Sequence, residues 1–271
     1  MQAPHGALKA AMARSFLFAQ DSADAATTRL LALAARATGF MKGEPGAARE
    51  GWYQPGADNG AFLAALKAQL VATYPAAPAL WPVRLWTNLI WQPAYLAVIA
   101  VHLHGAMPDL NGLSQGRRGI YVDGLRLLPA PQTSGTTEQL IANAGGQLKA
   151  MTDRLLDEVN AVAKLRPLPA RRLLADRMLS LMVWLGKHQP QLSLEQRQDY
   201  CAQWLAVMGL TGQGELQKVN VPDGREVLIV KRKGCCLDYL IDPERLCASC
   251  PKQDEALRLA RQTANALAEL D

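Results

Sequence analysis

The distribution of the cysteines constrains this chain more than any other feature. Four of the five cysteines fall between Cys235 and Cys250, in the order Cys-Cys, ten residues, Cys, two residues, Cys, and Cys201 stands apart. A Cys-x-x-Cys unit can place two thiolates on one metal centre, and a second pair nearby completes a set of four soft ligands. Adjacent residues of a strand point to opposite faces, so Cys235 and Cys236 can share a centre only if the chain turns between them. Gly234 and the end of a predicted hairpin are suited to such a turn.

The spacing alone leaves three arrangements open: a 2Fe–2S cluster, a structural zinc ion with the same four ligands, or a set of disulfides. The first residues contain no uninterrupted apolar run followed by a small-residue cleavage site, so we read no secretory signal. Stable disulfides are disfavoured in such a chain, and five cysteines are too few for a disulfide scaffold. The adjacent pair departs from common zinc spacings, which favours iron slightly.

The residues around the cysteines are compatible with a negatively charged centre. Lys231, Arg232 and Lys233 precede the first pair, and Pro251 predicts that a helix begins just after Cys250. Positive charge and the free N–H groups of a helix N-terminus would both favour the more negative, reduced state of an iron–sulfur cluster. The same basic residues are equally typical of a solvated strand end.

The overall composition excludes several classes of protein. Of 271 residues, 49% are hydrophobic and 20% are charged, which is typical of a globular protein with a substantial core. The net charge of +5 is far from the dense basic charge of a nucleic-acid binder, and no helix-turn-helix with a basic recognition helix is evident. We therefore expect no nucleic-acid partner.

One stretch is long enough to cross a bilayer without a charged residue, between Arg84 and Asp109. It contains polar side chains, among them Gln92, His102 and His104, which would be costly in lipid. A buried helix or pair of helices is the better interpretation. We expect no transmembrane span, and peripheral contact with a membrane stays open.

The hydrophobic pattern predicts a mainly α fold with small antiparallel β-hairpins, of the α+β class. We expect a helix after Asp58 or Asn59 and another from Gln92 to Gly105. Capping boxes predict two further helix starts, at Thr136 with Gln139 and at Ser193 with Gln196. A helix with one broad apolar face lies between them and carries Leu173, Leu174, Met178, Leu181 and Met182.

Two β-hairpins are predicted. The first lies near residues 118–128, with its turn at Asp123-Gly124. The second has strands near Leu216–Val221 and Glu226–Lys231 and leads directly into the cysteines. We therefore divide the chain into a mostly helical domain, residues 1–210, and a module of hairpin, cluster segment and terminal helix, residues 211–271.

At this point the residues resemble a known family. Arg232-x-x-Cys235-Cys236-Leu237-x-Tyr239, followed by Cys247-x-x-Cys250-Pro251, resembles the C-terminal signature of the FhuF-like ferric-siderophore reductases. The resemblance implies a 2Fe–2S cluster held by Cys235, Cys236, Cys247 and Cys250. More loosely, the tract WQPAYLAVIAVHLHG, the first hairpin and the helix around Trp184 look like the helical substrate domain of that family.

The resemblance also implies an activity. The expected reaction is one-electron reduction of siderophore-bound Fe(III) to Fe(II), which releases iron in the cytoplasm. A peripheral position of the protein at the inner face of the membrane stays open. The hydroxamate type is one candidate siderophore, and no catalytic residue beyond the cluster is required. The chain has no G-x-G-x-x-G motif after a predicted strand, so we expect electrons from a ferredoxin, a flavodoxin or a reductase.

Aromatic and basic groups that we expect to be exposed are the candidates for contact with the siderophore: Trp81, Arg84, Trp86, Trp91, Arg117, Arg118 and Tyr239. Residues i and i+2 of a helix do not share a face, so we expect His102 and His104 to be packed or capping histidines. Cys201 is expected to be a buried thiol. Two other functions remain open, a non-enzymatic iron–sulfur sensor and a zinc-stabilised siderophore-binding module.

Overall fold

The computed structural model describes residues 5–244 and 246–268. Its α-helices are α1 (His5–Thr38), α2 (Gly60–Thr73), α3 (Leu80–Ile99), α4 (Thr137–Val162), α5 (Pro167–His188), α6 (Leu194–Val207) and α7 (Glu255–Ala268). Its strands are β1 (Gly43–Pro45), β2 (Ala106–Met107), β3 (Leu113–Arg118), β4 (Tyr121–Leu127), β5 (Thr133–Ser134), β6 (Gly214–Asn220) and β7 (Glu226–Arg232). The predicted α+β class with mainly helical content is confirmed.

Helix α3 lies at the centre of the helical body and packs against α1, α2, α4 and α5. It begins at Leu80, twelve residues before the predicted start at Gln92, and it continues as a π-helical segment over Ala100–His104. Pro82 does not prevent this start, because proline is tolerated in the first turn, where its missing N–H would have had no partner. The uncharged stretch from Arg84 is therefore a buried helix, as the polar residues in it indicated. Among the described residues, no helix is both long and apolar enough to cross a membrane.

The helices that follow begin where their capping boxes predict. Thr136 and Gln139 bond reciprocally at the start of α4, and Ser193 and Gln196 do the same at the start of α6. Gly145 of α4 lies against α6, where a Cβ atom would stand 2.8 Å from a methyl group of Val207. The glycine that weakens α4 as an isolated helix therefore allows the two helices to approach closely.

The first hairpin forms, but its turn is displaced from the predicted position. Strands β3 and β4 pair as Arg118↔Tyr121, which places the turn at Gly119 and Ile120 and puts Asp123-Gly124 inside β4. Gly124 has a φ of +96° and lies under the ring of Trp52, near a register shift in β3. Packing against Trp52 requires this glycine within the strand, so its signal as a turn residue was misleading.

The second hairpin forms as predicted from strands β6 and β7, which pair from Gly214↔Arg232 to Asn220↔Glu226. Both strands pack against α5. Val230 joins the main hydrophobic core, and Leu216 packs against it. The end of β7 therefore delivers the chain to the surface of α5, where the cysteine segment begins. The division into domains at residue 210 stays a prediction.

The predicted terminal helix forms as α7, and because it begins at Glu255, Cys250 does not lie at its N-terminus. Asp254 caps it, because its Oδ1 accepts from the N–H groups of Ala256 at 2.9 Å and Leu257 at 3.2 Å. Cys250 and Pro251 lie in turns before the helix. The predicted effect of a helix N-terminus on Cys250 is therefore wrong.

Candidate metal centre

The start of the cysteine segment is held by a buried carboxylate on α5. Asp176 is 3% exposed and accepts hydrogen bonds from Arg232 Nε at 3.1 Å, Lys233 N at 3.3 Å and Gly234 N at 2.9 Å. A Cβ atom on Gly234 would lie 2.5 Å from Asp176 Oδ2 and 3.0 Å from the backbone of Leu173. Gly234 thus permits close approach to α5 and is not itself the turn that we predicted.

The chain turns immediately after the adjacent cysteines. Leu237 has a φ of +61°, the left-handed conformation that a residue with a Cβ atom rarely adopts, and a short 3₁₀ helix, Asp238–Leu240, follows. In this conformation the backbone N–H of Leu237 donates to Cys235, and the N–H of Asp238 donates to Cys236. Cys235 and Cys236 therefore each accept from a different backbone N–H group.

The second pair of cysteines lies in a tight turn next to α7. The N–H of Cys250 donates to the carbonyl of Cys247 at 2.9 Å. The amide of Gln253 donates to the same carbonyl at 2.6 Å, and Arg261 of α7 donates to the carbonyl of Leu246 at 2.9 Å. Helix α7 therefore supports the backbone of this turn.

The four thiols interact with one another, and two cations lie beside them. Cys247 is hydrogen-bonded to Cys236, and Arg232 Nη1 lies 3.8 Å from Cys247 Sγ. Cys235 interacts electrostatically with Cys250 and with the ammonium group of Lys252. Within the described chain, no group of three or more His, Cys, Asp or Glu side chains is placed to hold a single metal ion. Every described cysteine is a free thiol.

Hydrogen bonding and charge perturb the protonation of these groups. The hydrogen bond with Cys247 lowers the pKa of Cys236 to about 6, with further help from the N–H of Asp238 and from Arg232. Burial opposes the charge of Arg232, but Asp176 and the nearby sulfurs outweigh it, so the pKa of the guanidinium is raised. Burial raises the pKa of Asp176, while its bonds to Arg232 and the two backbone N–H groups act in the opposite direction. The ion pair with Asp176 therefore holds the guanidinium group of Arg232 beside Cys236 and Cys247.

Two cavities meet the cysteine segment. The lysine-rich cavity has a volume of about 560 Å³, and its lining includes Lys67, Trp81, Lys164, Arg172, Lys233 and Cys235. The arginine-rich cavity has a volume of about 320 Å³, and its lining includes Arg84, Trp91, Arg177, Arg232, Cys236 and Cys247. Cys235 and Leu237 line the lysine-rich cavity, whereas their neighbours in sequence, Cys236 and Asp238, line the arginine-rich cavity. The segment therefore lies between the two cavities and contributes one thiol to the lysine-rich cavity and two to the arginine-rich cavity.

The structure brings four of the seven candidate substrate residues to the cysteines. Trp81 lines the lysine-rich cavity, and Arg84 and Trp91 line the arginine-rich one. Arg84 also pairs with Asp238 at 2.8 Å. The ring of Tyr239 lies 4.5 Å below Lys252 Nζ, next to Cys235.

The other three candidates lie elsewhere. Trp86 is 2% exposed and donates to the carbonyl of Ala170 at 3.0 Å, so the interpretation of this residue as an exposed group is wrong. The periodicity of α3 places it on the core face. Arg117 and Arg118 end strand β3 and line neither cavity, and Arg118 pairs with Asp123 at 2.8 Å.

The residues outside the segment agree with the structural roles expected of them. Cys201 is 3% exposed, and burial raises its pKa to about 12. His102 accepts from Trp204 Nε1 at 3.0 Å, and His104 Nε2 lies 2.8 Å from Gln132 Oε1.

Sequence reasoning missed Asp176, which holds the start of the cysteine segment. A signal was present, because Asp176 lies three residues from both Leu173 and Leu179 on the apolar face of α5. A carboxylate at a core position needs buried partners, and here they are provided by residues 232–234.

Comparison with known proteins identifies the class of this segment. Residues 232–252 match the family model described as the FhuF 2Fe-2S C-terminal domain. The matched segment is a 2Fe–2S-binding domain, which confirms the predicted cofactor and the resemblance drawn from the cysteine spacing. No solved structure matches the chain.

Proposed function

We propose that this protein is an iron–sulfur reductase that transfers one electron to Fe(III) held in a siderophore. Cys235, Cys236, Cys247 and Cys250 are the proposed cluster ligands. The observation that carries the proposal is that Cys235, Cys236 and Cys247 line two cavities, within a segment that matches a 2Fe–2S domain.

The donor set fits this cofactor. Four cysteine thiols are the ligand set of a 2Fe–2S cluster, and the backbone N–H groups of Leu237 and Asp238 donate to two of them. Arg232 places positive charge beside Cys247, and Lys252 places it beside Cys235. Hydrogen bonds and positive charge stabilise the reduced, more negative form of such a group and so raise its reduction potential.

Access to the thiols favours a redox role over a purely structural one. Structural zinc sites are closed, with four protein ligands and no open position. Here Cys235, Cys236 and Cys247 are only partly buried, and each lines a cavity. A substrate in either cavity would lie close to a sulfur ligand.

The chemistry needs little beyond electron transfer. A reduced 2Fe–2S cluster supplies one electron, which converts Fe(III) of the substrate to Fe(II) and leaves the cluster oxidised. The hard oxygen donors of a siderophore hold Fe(II) much more weakly, so iron is released without a general acid, base or nucleophile. The protein residues bind the chelate near Cys235 or Cys236 and stabilise its charge.

The electron must then be replaced by a donor, for which we propose a ferredoxin, a flavodoxin or a separate reductase. The net charge of +5 permits an acidic partner. We place the reaction in the cytoplasm, where free thiols persist before cluster assembly.

The test is a single-turnover experiment under anaerobic conditions. The protein is reduced chemically and mixed with ferric complexes of a hydroxamate and of a catecholate siderophore. Cluster reoxidation is followed by visible absorbance, and Fe(II) by a ferrous chelator. We expect one Fe(II) for each cluster oxidised with at least one of the complexes.

Two variants complete the design. Cys235→Ser should prevent normal cluster assembly, whereas Cys201→Ser, which changes a buried thiol outside the segment, should retain it. A cluster that stays reduced with every ferric complex refutes the reductase and favours a sensor. A protein that contains zinc and no acid-labile sulfide supports the binding module instead.

A further inference from the structure

The lysine-rich cavity has an unusual charge. Four cationic side chains line it, and its lining contains no acidic residue. Those four are Lys67, Lys164, Arg172 and Lys233. The rest of the wall is mainly apolar and includes Trp81, Pro82, Val83, Leu165 and Leu237.

These cations are not neutralised by the protein. Across the described part of the chain, none of the four forms an ion pair with a carboxylate. Lys67 donates to the carbonyl of Val162 at 2.5 Å, and Lys233 donates to the carbonyl of Gly212 at 2.8 Å. Such bonds orient an ammonium group but leave its charge in place.

Arg172 supplies an independent indication of a ligand. Its Nε atom is buried and has no hydrogen-bond partner. A buried N–H of a charged group is costly when it is left unpaired, so it is a place where a bound acceptor would be favoured. The backbone of Arg172 also contacts Gly234, one residue before Cys235.

We propose that the lysine-rich cavity binds a ferric chelate with net negative charge, of the catecholate type, next to Cys235. A ferric tris-catecholate is anionic, whereas the complex of Fe(III) with three hydroxamates is neutral at its metal core. The four cations therefore favour the tris-catecholate complex over the hydroxamate complex. The indole of Trp81 and the ring of Pro82 offer an apolar surface for the aryl rings of the catecholates. This inference rests on the proposed reductase function and specifies its substrate class.

The shape of the site favours a small molecule over an acidic protein. A cavity of about 560 Å³ is within the range of small-molecule sites, roughly 300–1,000 Å³. Arg172 is only partly exposed, and its orphan Nε lies below the surface, out of reach of a flat protein face. Trp81 is partly buried as well and lines the same cavity.

Gallium(III) complexes separate binding from reduction, because gallium has the charge and ligand preference of Fe(III) but accepts no electron under these conditions. Isothermal titration calorimetry of the cluster-loaded protein would compare gallium(III) bound by a tris-catecholate with gallium(III) bound by a tris-hydroxamate. We expect tighter binding of the catecholate complex, with a dissociation constant that rises with salt concentration.

Two sets of variants locate the site. Arg172→Gln should weaken binding of the catecholate complex by about tenfold, the effect of losing one charge-assisted hydrogen bond. The double variant Lys164→Gln with Lys233→Gln should weaken it by about fivefold, because both ammonium groups are exposed. Lys42→Gln removes an exposed lysine that does not line the cavity, and it should leave the affinity unchanged.

Several results would overturn the inference. Equal affinity for the two gallium complexes, or no binding of the catecholate complex, refutes it even if the reduced protein still releases Fe(II) from a hydroxamate. Loss of affinity for an acidic ferredoxin in these variants, with chelate binding unchanged, would reassign the cavity to the electron donor. Binding of the catecholate complex by a protein whose reduced cluster transfers an electron to none of the ferric complexes would support the inference and refute the proposed reductase.

Discussion

Replacing Asp176 by asparagine tests whether α5 holds the cysteine segment in its functional position. The side chain of Asp176 is 4% exposed and that of Arg232 is 17% exposed, so the pair is largely desolvated. Removal of one partner from a buried ion pair costs about 3–5 kcal/mol, because the remaining charge stays buried without compensation. Asparagine keeps one oxygen that can accept from Gly234, so we expect a loss of about 3 kcal/mol.

Thermal unfolding followed by circular dichroism measures this loss. For a chain of this size, 1 kcal/mol shifts Tm by roughly 2–4 °C, so Asp176→Asn should lower Tm by about 6–12 °C. The freed Arg232 should also loosen the segment, so the variant should lose its visible absorbance faster in the presence of an iron chelator. Asp153→Asn is the matched control, because it removes an exposed carboxylate that pairs with Lys149 on α4. It should change the free energy of unfolding by about 0.5 kcal/mol or less.

The result that refutes this reasoning is an Asp176→Asn protein with the Tm and the cluster retention of the wild type. A double-mutant cycle with Arg232→Gln sharpens the test. If the two side chains act through each other, the double variant should lose less stability than the sum of the single variants.

Three further predictions concern other parts of the structure. Gly234→Ala should destabilise the protein by about 1–3 kcal/mol, because its Cβ atom would meet Asp176 Oδ2 at 2.5 Å, whereas Gly146→Ala, on an open face of α4, should be neutral or stabilising in urea unfolding. Burial lowers the pKa of His102 to about 4, below its ordinary value of 6.5, so its contribution to stability is complete above pH 6.5 and is lost as the pH falls towards 4. The free energy of unfolding should therefore fall by roughly 3 kcal/mol more in the wild type than in His102→Gln over this range, and equal pH profiles would contradict this role. Cys201, which is 3% exposed, should resist alkylation at pH 8 in the folded apo-protein while the partly exposed Cys235, Cys236 and Cys247 react, and mass spectrometry that finds Cys201 modified first would show that it is not buried.

Local signals in the sequence predicted the elements that carry the site. The capping boxes at Thr136 and Ser193 each join residues three apart, so their helix starts depend on little else. The hairpin of β6 and β7 has its turn residues between alternating strands, and the structure has that arrangement. The spacing of the cysteines likewise predicted a metal-binding segment without knowledge of the fold.

Contacts between distant residues account for what the sequence did not predict. Asp176 and Gly234 are far apart in the chain, and no local pattern links a core carboxylate on a helix to the loop that it holds. The displaced turn of the first hairpin has the same cause, because Trp52 covers Gly124 from outside the hairpin. The two cavities depend on how α3, α5 and the cysteine segment pack together. The sequence therefore indicated Trp81 and Arg84 as candidates for contact with the siderophore, but it could not show that they line different cavities.

The central claim is that the four clustered cysteines hold a redox-active 2Fe–2S group, and its most direct test is spectroscopy of the anaerobically purified protein. We predict a coloured protein with two iron atoms and two acid-labile sulfides per chain, which develops an EPR signal when it is reduced. In Cys235→Ser this spectrum should be absent or altered, and in Cys201→Ser it should be unchanged. A colourless protein that contains zinc and no labile sulfide would contradict the account.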